Sequence, residues 1–126
     1  MSIQIHFDKK KEILYCYFGE SFTFEDVEST LFAITHGSEY PPDVNTLWDM
    51  GKIDFSEVDE SFIQRIISMR RKFPERGNAK VALIVSSDLG FGLSRMYKSF
   101  SEVAEMSQNI NVFRDRAKAE KWLLAE

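Results

Sequence analysis

Residues 79–86 read AKVALIVS. Five consecutive apolar residues, Val81 to Val85, stand between Lys80 and the polar run Ser86-Ser87-Asp88. An apolar run this short, closed by turn-forming residues, has the pattern of a strand buried on both faces, as in a parallel sheet. The residues after it suit a helix: Leu93, Met96, Tyr97, Phe100, Val103 and Ala104 recur at steps of three and four. A buried strand feeding a helix is half of a strand–helix–strand unit, and the rest of the chain repeats that unit.

Upstream, residues 44–50 read as a third strand. A helix starting at Ser56 or Glu57 then carries Val58, Phe62, Ile66, Met69 and Phe73 on one face, until Pro74 and Gly77 stop it. Downstream, residues 110–113 are a fifth strand, and Asp115 caps a last helix containing Ala119, Trp122 and Leu123. At the start, Ile3, Ile5 and Phe7 alternate with Gln4 and His6, the period of a half-buried strand. A polar turn leads to a second strand at 13–18, so the two form an antiparallel hairpin. Thr23 and Asp26 then form a capping box for a helix with Val27, Leu31 and Ile34 on its apolar stripe. Gly37 fits the position after that helix, and Pro41-Pro42 cannot continue it.

The order is ββαβαβαβα. It predicts an α/β fold with a mixed five-stranded sheet, flanking helices and one antiparallel edge strand. No repeat, linker or low-complexity stretch divides residues 1–126, so one domain is expected. Right-handed crossovers between strands added in sequence order place the intervening helices on a single face of the sheet. Yet the strands are apolar on both sides: Val81, Leu83 and Val85 alternate with Ala82 and Ile84. The second face needs a cover, which can be a helix that swings around, a twin subunit or an apolar ligand.

Composition narrows the function. Of 126 residues, 44% are hydrophobic and 13% aromatic, which excludes a disordered chain. The net charge of −4 is not the basic footprint of a general nucleic-acid binder, so no nucleic-acid partner is expected. No apolar stretch approaches the ~20 residues of a membrane helix. Residues 1–12, MSIQIHFDKKKE, lack the apolar core of a signal peptide, and the single Cys16 makes no internal disulfide. A cytoplasmic location is the expectation.

Catalytic and metal chemistry find little material. His6, His36 and Cys16 occur in no metal-binding spacing, and there is no G-x-S-x-G elbow. Neither a cofactor nor a metal is expected. Gly90-Phe91-Gly92 follows the fourth strand, where helix amides can hold an anion, although the two glycines equally permit a tight turn. Ligands of open parallel sheets gather beyond the carboxyl ends of the strands. Those ends supply Asp49, Ser86, Ser87, Asp88 and Arg114, with Arg95 on the next helix, as a small polar pocket or as caps and a structural ion pair. The run Arg70-Arg71-Lys72, with Arg76 beyond, reads as the solvated end of a helix, where cations favour the dipole.

The segments AKVALIVSSDLGFGLSRMY (79–97), VFRDRAKAEKWL (112–123), ILYCYFGESFTFEDVEST (13–30) and LWDM (47–50), taken in their order along the chain, resemble the SpoIIAA-like family within the STAS-type fold. The resemblance implies a mixed sheet flanked by helices and a non-enzymatic regulatory role exercised by binding a protein partner or a second copy. In anti-sigma-factor antagonists of this fold, a serine of an Asp-Ser-Ser-Gly motif after the third strand is phosphorylated. Here that region reads Ile53-Asp54-Phe55-Ser56-Glu57, so Ser56 is the corresponding candidate. Such proteins also look like SEC14-type lipid-binding domains, which implies an alternative role as carrier or sensor of a small apolar ligand. Phe24, Phe62, Phe73 and Phe100 suit that role, and suit a packed core at least as well.

Overall fold

In the computed structural model, which describes residues 3–106 and 108–125, the chain builds a five-stranded sheet with a helix after each strand from the second onward. Residues 1, 2, 107 and 126 of the expected domain lie outside this description. Strands β1 (Ile3–Asp8) and β2 (Ile13–Phe18) form the antiparallel hairpin. Asp8 organises its turn: the carboxylate accepts the amides of Lys10 and Lys11, each at 3.0 Å. Strands β3 (Asn45–Asp49), β4 (Lys80–Ile84) and β5 (Asn109–Phe113) add one after another in parallel. Spatial order equals sequence order, with the antiparallel strand at the edge.

Helix α1 (Phe24–Thr35) begins at the capping box: the Asp26 amide donates to Thr23 Oγ1 at 3.1 Å, and the Thr23 amide donates to the Asp26 carboxylate at 2.9 Å. Gly37 follows the helix without adopting a positive φ. A Cβ there would stand 2.5 Å from the Tyr40 ring, so the glycine makes room for that ring rather than for a left-handed cap. Helix α2 (Glu60–Arg70) starts later than the sequence suggests. Ser56 lies instead in a separate 3-10 turn (Phe55–Glu57) capped by Asp54, and Asp59 caps α2 by accepting the Phe62 amide at 2.8 Å. Extended Val58 separates the two pieces.

Helix α3 (Asp88–Val103) is capped by Ser87, and α4 (Arg116–Leu124) by Asp115. The buried side of α3 carries Gly90, Ser94 and Ser101, with Leu93 and Tyr97 beside them. Met96 and Val103, read from the sequence as part of the inward stripe, are exposed. Small and hydroxyl residues face inward because Phe55 and Arg70 come close to the helix there.

The two faces are covered separately. Val27, Leu31 and Ile34 of α1, Ile66 and Met69 of α2, and Leu93 and Tyr97 of α3 pack on Leu14, Cys16, Trp48 and Leu83. The opposite face carries Ile13, Tyr15, Leu47, Ala82 and Ile84, and α4 lays Ala119, Trp122 and Leu123 across it. Of the three covers open to the second face, this chain uses its own helix.

Candidate functional site: an apolar cavity with two buried arginines

Beneath the three helices the interior is not filled. A cavity of about 120 Å³ lies between Trp48, Val81 and Leu83 of the sheet and side chains of all three helices, among them Leu31, Phe62 and Tyr97. Protein interiors are close-packed, and few voids exceed the size of a water molecule. An apolar void of roughly 150 Å³ stays dry and accepts a benzene ring, so this one is large enough to hold an organic group.

One end of the cavity is cationic. Arg76 is 1% exposed and Arg70 6%. This corrects the solvated-end reading of that run, which holds for Arg71 and Lys72 alone. Arg76 lies beyond α2 in a second 3-10 turn (Pro74–Arg76), and its guanidinium turns inward onto carbonyls just before β3. Nη1 donates to the carbonyl oxygens of Pro42 (3.0 Å) and Val44, and Nη2 donates to Thr46 Oγ1 at 3.1 Å. Thr46 Oγ1 also accepts the Trp48 indole N–H at 2.9 Å. Arg70 donates to Ser101 Oγ at 2.9 Å and to the Gln108 side-chain oxygen, and lies 5.3 Å from the centre of the Tyr97 ring. Gln108 in turn donates to the Arg76 carbonyl at 3.3 Å.

Every one of those partners is neutral. Among the described residues, the ion pairs are Lys11–Glu120, Lys72–Glu28, Arg114–Asp88 and Arg116–Glu120, and neither buried arginine belongs to one. Buried charges are ordinarily paired, because removing an ion from water is costly. Burial lowers the Arg76 pKa to about 10, with Arg70 adding to the effect, so the group remains a cation at neutral pH. Its Nε–H is buried without a hydrogen-bond partner. Cys16 supplies no counter-charge: burial pushes its thiol pKa well above the ordinary value, which keeps it protonated.

The residues singled out at the carboxyl edge of the sheet are dispersed into local roles. Asp49 accepts the Gly51 amide at 3.0 Å, and Ser86 donates to the Gly51 carbonyl at 2.6 Å. Ser87 accepts the Gly90 amide at 2.9 Å, as a helix cap. Asp88 pairs with Arg114 at 2.8 Å. Arg95 and Arg114 stand over Phe91, 5.9 and 4.7 Å from its ring centre. Among the described residues no hydrogen bond or ion pair joins Asp49 to Asp88 or Arg95. A Cβ on Gly90 would stand 2.6 Å from Phe55, whereas one on Gly92 would touch nothing within 4 Å. Ser56 is exposed, and its amide donates to Asp54 at 3.0 Å. With Glu57 and Asp59 also nearby in the chain, its surroundings are acidic.

The cavity runs the other way. Phe18, Met50 and Phe55 line it from the carboxyl edge, and Arg76 closes it beside the first residues of β3. No family model matches the chain, and no curated protein does. A solved structure that it resembles is an uncharacterized protein of the DUF3478 family with a SpoIIAA-like fold from Shewanella loihica PV-4, at 20% identity and a TM-score of 0.64, covering 96% of this chain and 91% of that one. The fold is SpoIIAA-like.

Proposed function

We propose that this chain is a binding protein whose ligand is a small apolar molecule held between the sheet and helices α1–α3. The cavity of about 120 Å³ carries this reading. In this reading the ligand is held, not turned over. Among the described residues lining the cavity none is a carboxylate, histidine or cysteine, so Ser94 and Tyr97, which also line it, have no such base beside them there to take up a proton. Solvent extraction of natively purified protein, followed by mass spectrometry, is expected to release a small organic molecule. Ser94→Leu, which fills the cavity from buried Ser94 on α3, is expected to abolish the copurification while leaving the fold intact. An extract from the parent protein as empty as that from Ser94→Leu would refute the reading.

A regulatory contact with another copy of the chain is the second reading, and one feature favours it. Leu89, Met96 and Val103 recur every seven residues along α3 and are exposed, with exposed Gly92 and Ser99 between them. Large residues at heptad spacing with small ones between form a seam into which another helix packs. Native mass spectrometry is expected to show a dimer that Met96→Asp dissociates. A parent protein that is monomeric at micromolar concentration removes this reading.

A further inference from the structure

We infer that the cavity selects a small monocarboxylic acid, aromatic or short-chain, whose carboxylate meets Arg76 and Arg70 while its hydrocarbon part lies among Trp48, Phe62 and Leu83. The inference rests on the cavity being a ligand site and adds the chemical class of the ligand. Three observations carry it. The first is charge: two buried guanidinium groups line one cavity and have only neutral partners. The groups near Arg76 supply no buried anion: burial raises the pKa of Cys16 and of Tyr40, and Asp43 is exposed and forms no ion pair with it.

The second is the vacant donor. A guanidinium has five N–H groups, and that of Arg76 spends three of its four Nη hydrogens on Pro42, Val44 and Thr46, while one Nη2 hydrogen and Nε–H are left unmatched. Nε itself is sealed off, so a carboxylate at this end is drawn by the unpaired charge and by the donors left over on the two guanidinium groups, and charge-assisted bonds of this kind are the strong ones. A phosphate ester brings more oxygens than the mainly apolar wall can serve.

The third is size. About 120 Å³ is less than the ~150 Å³ that accommodates benzene, so the pocket encloses a few carbons beside the head group, a larger hydrocarbon part such as a ring reaches toward its open side, and a long acyl tail would lie mostly outside it.

The test uses the full chain at neutral pH and titrates it calorimetrically with phenylacetate, with 2-phenylethanol as its neutral counterpart of similar size, and with palmitate. Phenylacetate is expected to bind about tenfold tighter than 2-phenylethanol, the least that one charge-assisted bond implies. Arg70→Gln is expected to erase most of that preference while changing the affinity for 2-phenylethanol by no more than about twofold. Arg76 also ties together the backbone before β3, so its replacement endangers the fold and Arg70 is the better probe. Equal affinity for acid and alcohol overturns the carboxylate while leaving the cavity as a ligand site. Palmitate binding more tightly than phenylacetate overturns the size class. Binding of none of the three overturns both the inference and the reading beneath it.

Discussion

Gly90 and Gly92 are two residues apart in α3 and have opposite surroundings. Gly90 stands against the Phe55 ring, while Gly92 faces open space. Glycine inside a helix costs about 0.5–1 kcal/mol relative to alanine, so Gly92→Ala is expected to stabilise the protein by that amount. Gly90→Ala drives a methyl group into Phe55 and is expected to cost about 1–3 kcal/mol. Phe55 lines the cavity, so a displaced ring also takes up cavity space. Urea unfolding of the two variants checks both signs, and equal shifts in one direction would refute the contrast. The buried arginines differ in how far the sequence discloses them. Arg70 falls seven, four and three residues after Ile63, Ile66 and Ile67, so it continues the buried stripe of α2, and that spacing was available to be read. Arg76 follows Pro74 in a 3-10 turn where no periodicity assigns a face. Its side chain is held by the carbonyls of Pro42 and Val44 and the Thr46 hydroxyl, thirty or more residues away.

At the scale of elements, α4 is fastened to β2 by charge as well as by packing. The Tyr15 hydroxyl donates to Glu120 at 2.6 Å, Lys11 and Arg116 pair with the same carboxylate at 3.3 Å, and Arg116 stands over the Tyr15 ring. The Tyr15 bond is the largest influence holding the Glu120 pKa below the carboxylate range, helped by Lys11 and Arg116 and opposed by burial. Burial first, then Glu120, pushes the Tyr15 pKa up to about 12. The signs follow from proton linkage. A depressed carboxylate contributes stability above its unfolded pKa and loses it as pH falls through the folded one. A raised phenol contributes fully below the ordinary tyrosine value of 10.0 and loses it as pH rises toward about 12. Tyr15→Phe is therefore expected to cost about 1–2 kcal/mol near neutral pH and to flatten the stability profile at both ends. Thermal melts across the pH range check this, and a profile parallel to that of the parent protein would refute it. The helix caps Thr23, Ser87 and Asp115 were legible because a cap is a local bond. The start of α2 was not, because Asp54 and Asp59 each offer a cap and extended Val58 between them divides the stretch.

For the whole molecule, strand order and the placing of three helices on one face follow from the alternation of buried strands with helical stripes. The cavity was not legible, because a void is volume that side chains from three strands, three helices and the turns between them fail to fill, and no single segment records it. The helix on the opposite face has a consequence of its own. At nine residues α4 is shorter than the ~12–15 at which an isolated helix becomes even marginal in water, so its coil is kept wound by the sheet beneath it. Undocking and unwinding of α4 are therefore one step. Docked, the helix covers Tyr15, Leu47, Ala82 and Ile84, apolar surface that would otherwise face water.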